Sequence, residues 1–226
     1  MRLLVLDVEG TLFEARIRLP GTDINSTIWQ AIAHSLGDDA IAEEVATHKR
    51  WEAGDYANYM QWMEDTIAIH RRYGLSEGQF RSLIASATYN PGVADVLPRI
   101  DRRKYEIVLI SGGFRELAAR VQRDFLVKHA FAACEYLFGD DGLLRSWNLL
   151  PCDFAGKLDF VQLMLREYRL DEGRWVFVGD GKNDVQIAER APYAIGYRPH
   201  ADLEKVCRTS IRDFGELLRH LEEPAH

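Results

Sequence analysis

Arg2-Leu3-Leu4-Val5-Leu6-Asp7-Val8-Glu9-Gly10-Thr11 is the stretch whose reading decides the fold. An apolar Leu/Val run that stops at a polar, Gly-containing turn reads as a strand buried on both faces. Asp7 and Glu9 then stand two residues apart at its carboxyl end. In open α/β sheets, ligands bind beyond the carboxyl ends of the strands. Asp7 is therefore the first candidate for a reacting group, and the rest of the chain is read for what it brings to it.

From about residue 15 to 88 the pattern is helical, with no strand signal. Asn25 or Ser26 is placed to cap a helix carrying Ile28, Ala31, Ile32 and Leu36, stopped by Gly37. Asp38 or Asp39 opens a second, with Ile41, Val45 and Trp51 inward and Gly54 as its end. Asp55 is read as the cap of a third, through Tyr56, Tyr59, Met60, Met63, Ile67 and His70 to Gly74. Ser76 and Gln79 form a capping box for a fourth. The aromatic stripe of Trp51, Tyr56, Tyr59 and Trp62 fits helix–helix packing better than a pocket lining.

After the turn signal Asn90-Pro91-Gly92, strands and helices alternate. A short helix over Val93 to Arg102 is followed by a strand, Glu106 to Ile110, cut off by Ser111-Gly112-Gly113. A helix, a strand at Ala133 to Phe138 and a hairpin turn at Asp140-Asp141-Gly142 follow. Lys157 opens the next helix. The strand Trp175 to Val178 breaks at Gly179-Asp180-Gly181-Lys182-Asn183-Asp184. A short strand at Ala194 to Tyr197 and two tail helices end the chain. The expected fold class is α/β, a Rossmann-like doubly wound, mainly parallel sheet with an inserted α-helical cap. The domains are 1–14 with 89–226 as the core and 15–88 as the cap. Parallel strands need right-handed crossovers, so the loops after Leu6, Ile110 and Val178 fall on one edge of the sheet.

Those loops carry a set of parts for phosphoryl transfer. Asp7, Glu9, Asp180 and Asp184 are carboxylates suited to a hard cation. Ser111 with the Gly112 and Gly113 amides suits phosphate oxygens, and Lys157 supplies a cation. Asn183 is placed to orient Lys157, bind the phosphate or cap the following helix.

DVEGT (Asp7–Thr11), ISGG (Ile110–Gly113), Lys157 and GDGKND (Gly179–Asp184) together resemble the four motifs of the haloacid dehalogenase superfamily of phosphohydrolases. The 23 residues from Lys157 to Asp180 and the helical insertion are similar to its phosphoserine-phosphatase-like branch. The resemblance implies that Asp7 attacks phosphorus and forms an aspartyl-phosphate, with Glu9 as general acid/base. It implies Mg²⁺ held by the Asp7 side chain, the Glu9 carbonyl and Asp180, with Asp184 direct or through water. Ser111, Gly112 and Gly113 would bind the phosphate, with Thr11 and Asn183 beside them, and Lys157 would neutralise Asp7 and the phosphate.

Two positions depart from that pattern. Glu9 stands where the family usually has Asp. Arg16 stands nine residues after Asp7, where a phosphoserine-specific enzyme has a Glu for the substrate amine. A cationic Arg16 favours a second anion, so another small phosphomonoester is expected ahead of phosphoserine. A phosphotransferase that passes the group to an alcohol is the enzymatic alternative. A phospho-acceptor signalling domain is the non-enzyme one, though it leaves the helical insertion without a purpose. A catalytically dead binding module is disfavoured by the intact Asp7, Lys157 and Asp180.

The bulk properties agree with a globular enzyme. The 226 residues are 47% hydrophobic and 28% charged, with a formal charge of −7. That charge argues against nucleic acid or an anionic membrane as partner. No apolar run reaches the ~20 residues of a membrane span, and no basic n-region with a long apolar stretch opens the chain. Cys134, Cys152 and Cys207 lack metal spacing and read as reduced thiols. The expected location is cytoplasmic and the expected partner a small phosphorylated metabolite. A homodimer stays open.

Overall fold

The computed structural model describes residues 1–222. Two compact units emerge: Met1–Glu14 with Tyr89–Cys134 and Leu150 onward, and Ala15–Thr88 with Glu135–Leu149.

The first unit is built on β1 (Arg2–Leu6), whose Leu3, Leu4, Val5 and Leu6 have no exposed surface. Each such side chain contributes about 2 kcal/mol of transfer free energy. In chain order the other strands of its sheet are β4 (Tyr105–Phe114), β5 (His129–Phe138), β6 (Leu144–Leu149), β7 (Trp175–Gly179), β8 (Ala194–Tyr197) and β9 (Thr209–Ile211). The sheet order is β6-β5-β4-β1-β7-β8-β9. β1 pairs in parallel with β4 on one side and β7 on the other. The chain winds outward through β4 and β5, then returns to β7, so the switch point lies beside β1. Register does the positioning: Leu6 stands opposite both Leu109 and Val178. The segments beyond Leu6, Leu109 and Val178 therefore start level with one another.

The crossovers are helical. α5 (Val93–Val96) passes into a 3₁₀ turn at Leu97–Arg99, where Pro98 cannot continue an α-helix. α6 (Arg115–Phe125) follows β4, α7 (Gly156–Glu167) precedes β7, and α8 (Val185–Arg190) follows it. α9 (Ala201–Glu204) and α10 (Leu217–Glu222) complete the tail. Three details differ from the sequence reading. β4 does not stop at Ile110 but runs to Phe114, through a register shift between Ser111 and Phe114. β9 carried no signal, because three residues are too short for a period. β5 starts four residues before Ala133, at His129.

The second unit contains α1 (Ile28–Leu36), α2 (Asp38–Ala53), α3 (Tyr59–Arg72) and α4 (Glu77–Ser86). The Ser76/Gln79 capping box forms. α3 starts later than read, with Asn58 rather than Asp55 as its cap. Val45 is 47% exposed rather than inward, because α2 turns Ala40 and Thr47 inside and sets Thr47 against Thr66. A short hairpin, β2 (Ile17–Arg18) with β3 (Asn25–Ser26), occupies the stretch read as strand-free. The outer half of β5 with β6 groups with these helices. Tyr136 accounts for this: its hydroxyl meets His70 Nδ1 at 2.7 Å, and its ring packs against Phe80. Backbone bonds Leu144 N–H to Leu75 and Glu77 N–H to Gly142 tie the hairpin to the α3–α4 turn. No helix among the described residues is long and apolar enough to cross a membrane.

In the first unit, Asn90 fastens the loop after β1. Its buried side-chain amide donates to the carbonyls of Gly10, Thr11 and Phe13 at 2.9, 3.0 and 2.9 Å. These acceptors have no water to fall back on. Asn90→Ala is expected to lower unfolding free energy by about 2 kcal/mol, read as a fall in the urea midpoint; an unchanged midpoint would show the anchor is idle.

Candidate active site

Asp7 extends β1 by one residue and is bonded through its N–H to the Val178 carbonyl at 3.0 Å. Its side chain is almost fully buried. Lys157, in the first turn of α7, has no exposed surface and reaches it: Nζ lies 2.6 Å from Asp7 Oδ1 and 2.6 Å from Asp184 Oδ1. Asp184 is also fully buried, and its Oδ2 accepts the N–H groups of Asp180 and Gly181 at 3.1 and 3.0 Å. Asp180 sits at the end of β7 and accepts the Thr11 hydroxyl at 2.8 Å.

Asp7, Asp180 and Asp184 each offer a carboxylate oxygen, all within 4.8 Å of one another. Against them stands one ammonium. Two like charges 4 Å apart repel by about 4 kcal/mol at an effective dielectric of 20, so the cluster is short of positive charge. Titration behaviour says the same. Burial pushes the Asp7 carboxyl well up, Lys157 pulls it back, and Asp184 and Asp180 push it further. Burial and then Asp184 drive Asp180 up to about 7, against the Thr11 hydrogen bond. Burial opposes the charge on Lys157, but Asp184, Asp7 and Asp153 overcome it and hold the ammonium protonated. An all-oxygen donor set with excess negative charge fits a hard divalent cation such as Mg²⁺.

Glu9 lies apart from this triad. Its Oε1 accepts the Phe114 N–H, at the start of α6, at 3.2 Å. The side chain fits only because residue 113 is glycine: a Cβ there would land on the Glu9 carboxyl. Burial pushes Glu9 up to about 7, against the Phe114 hydrogen bond.

The second motif is arranged differently from its sequence reading. Ser111 is buried and its Oγ accepts the Gly113 N–H at 3.1 Å. The Gly113 amide is thus engaged within the loop, while the Ser111 hydroxyl proton remains to be given. Thr11 spends its hydroxyl proton on Asp180, and Asn183 donates to Asp153 at 2.7 Å. Arg16 belongs to the second unit, is exposed, and donates to the Asn25 carbonyl at 3.2 Å. Asp153 was missed by sequence reasoning; its one signal was helical spacing, four residues before Lys157.

These carboxylates make stability depend on pH and on metal. Glu9 and Asp180 titrate near 7 when folded, against ordinary values of 4.5 and 3.8. Between those limits the folded state keeps protons that the unfolded chain has released, so the contribution of these two groups to stability is full below about pH 4 and is lost as pH rises through 7. In chelator, the melting temperature is expected to fall between pH 5 and pH 8. Mg²⁺ should raise it more at pH 8 than at pH 5, since a bound cation displaces protons. A melting curve indifferent to Mg²⁺ at pH 8 would contradict the cation site.

Residues 1–192 match the family model of haloacid dehalogenase-like hydrolases. Among curated proteins, the chain is 26% identical over 211 residues to phosphoserine phosphatase SerB2 of Mycobacterium tuberculosis, covering 93% of this chain and 47% of that one. It is 22% identical over 228 residues to a phosphoserine phosphatase of Streptococcus thermophilus, covering 98% and 96%. The chain spans about half the length of the first curated relatives it matches. A solved structure described as a phospho-aspartyl intermediate analogue of phosphoserine phosphatase superimposes with a TM-score of 0.77 at 19% identity, over 97% of this chain and 98% of that one. A HAD family hydrolase from Salmonella enterica gives 0.80 at 18%, over 98% and 72%. These two likenesses are of fold. With the motif loops gathered at one sheet edge and the family model matching 192 of 226 residues, the chain belongs to the haloacid dehalogenase-like hydrolases.

Proposed function

We propose that this hydrolase is a Mg²⁺-dependent phosphatase that cleaves a small phosphomonoester through an aspartyl-phosphate on Asp7. The observation that carries the reading is the Lys157 ammonium, 2.6 Å from Asp7, beside a triad of carboxylates within 4.8 Å. The relatives named as phosphoserine phosphatases support the substrate class.

Each residue has a part. The Asp7 carboxylate, held by Lys157, attacks phosphorus as the bond to the leaving alcohol breaks. Glu9, which titrates near neutrality, gives its proton to the departing oxygen. Ionised, it then takes a proton from the water that attacks the aspartyl-phosphate. Inorganic phosphate leaves and the Asp7 carboxylate is restored. The Ser111 hydroxyl and the Gly112 amide receive phosphate oxygens. The Asp7 and Asp180 side chains and the Glu9 carbonyl would hold magnesium, with Asp184 direct or through water, and the bound ion would supply the positive charge that phosphoryl oxygens require. The helical unit acts as the cap that selects the substrate. Arg16 is its candidate for a second anionic group and would repel an ammonium, so a phosphomonoester that bears a carboxylate or second phosphate and no amino group is favoured over phosphoserine.

The test is hydrolysis of a generic aryl phosphate with Mg²⁺, with chelator, and by Asp7→Asn. Turnover is expected only with metal, and Asp7→Asn should lose about a thousandfold or more. Turnover surviving in Asp7→Asn would defeat the nucleophile assignment. A panel of metabolite phosphates, phosphoserine included, run with and without acceptor alcohols, then reads substrate and separates hydrolysis from phosphotransfer.

A further inference from the structure

Asp153 lies in the turn between β6 and α7, four residues before Lys157 and not itself part of any motif read in the sequence. The turn is held in an unusual shape. Phe154, the next residue, has a left-handed backbone with φ of 48°, a conformation that costs a non-glycine residue free energy and persists only where surroundings impose it. The Gly156 N–H closes back on the Asp153 carbonyl at 2.9 Å. What this shape achieves is the placement of one carboxylate. Asp153 is nine-tenths buried, and its Oδ1 accepts the Asn183 amide at 2.7 Å and lies 3.8 Å from Lys157 Nζ. Its carboxyl also fills the space beside Gly112, where a Cβ would collide with it. One side chain thus touches the Ser111–Gly113 loop, Lys157 and the Asp180–Asp184 loop.

The need for such an anchor follows from the other contacts. Lys157 is long and flexible, and its two close partners are Asp7 and Asp184. Both belong to the carboxylate triad, whose oxygens a cation and a phosphate would draw upon. Asp153 stands outside the triad, so its pull on Lys157 does not change when those ligands arrive. It also accepts one proton of the Asn183 amide and so fixes that side chain.

We propose that Asp153 is a positioning residue, which holds Lys157 and Asn183 in place for transfer of the phosphoryl group to Asp7. The proposal rests on the phosphatase reading above. Its test uses Asp153→Ala, Asn183→Ala and the double variant, with Asp153→Asn keeping the shape should the alanine variant fail to fold. Misplacing a reacting group costs on the order of 10²-fold. Each single variant is expected to lower kcat for an aryl phosphate by about 10- to 100-fold with KM little changed, and the double by no more than the worse single, because the two act as a unit. Asp153→Asn should recover part of the loss. Losses that multiply in the double variant, or an unchanged kcat in folded Asp153→Ala, overturn the proposal. A second readout needs no turnover. The Asn183 side-chain amide, followed by ¹H–¹⁵N NMR, should shift and exchange faster in Asp153→Ala; an unmoved signal also overturns it. If the wild-type protein fails to hydrolyse any phosphomonoester, the phosphatase reading falls, and the NMR arm still decides whether Asp153 holds Asn183.

Discussion

The Lys157 ammonium is buried without exposed surface and lies 2.6 Å from both Asp7 and Asp184, and the rest of the site is arranged to make that burial tolerable. A lone buried charge costs several kcal/mol, so the carboxylates around it are a condition of folding as well as of chemistry. Asp7 follows β1 and Asp184 lies in the loop after the neighbouring β7, and the two converge because these strands are parallel with Leu6 opposite Val178, while Asp153 comes from the turn before α7. Yet the carboxylates outnumber the ammonium. Burial first, and that surplus after it, leave Asp7 and Asp180 hard to ionise in the absence of a cation, and the surplus is the physical basis for proposing a divalent metal.

Much of this was legible in the sequence, for identifiable reasons. Buried parallel strands read as short apolar runs, and Leu3–Leu6 and Trp175–Val178 are such runs. Polar, glycine-rich breaks at their ends placed Asp7, Ser111 and Asp180 on one edge. Side-chain pairing was less legible, because it is settled by three-dimensional approach. Thr11, Gly113 and Asn183 were all read as groups for the phosphate, but each has a hydrogen bond to a neighbouring residue. Asn90 read as a turn residue, and nothing in its spacing announced three carbonyl partners 77 to 80 residues away. In the helical unit, Val45 followed an apolar period that α2 does not use, since the helix is rotated to face Thr47 inward.

Glu9 shows how one departure from the family pattern is accommodated. A Glu side chain is one methylene longer than the usual Asp, and the extra length needs room. Gly113 provides it, since any side chain there would displace the carboxyl, and the Phe114 N–H fixes the end. The acid and the glycine come from different strands and form one device. Glu9 is pushed up to about 7 chiefly by burial, whereas Asp7 two residues earlier is tied to an ammonium. That difference is what the proposed mechanism uses, with one carboxylate of the loop as nucleophile and the other as proton carrier.

The central claim is that Asp7 becomes phosphorylated. Acid quench during steady-state hydrolysis of a phosphomonoester, followed by borohydride reduction and peptide mass spectrometry, reads it directly, because an aspartyl-phosphate is reduced to homoserine. The account predicts homoserine at residue 7, dependent on Mg²⁺ and absent in chelator. Steady turnover with residue 7 unconverted, or with conversion at another acid, would contradict it.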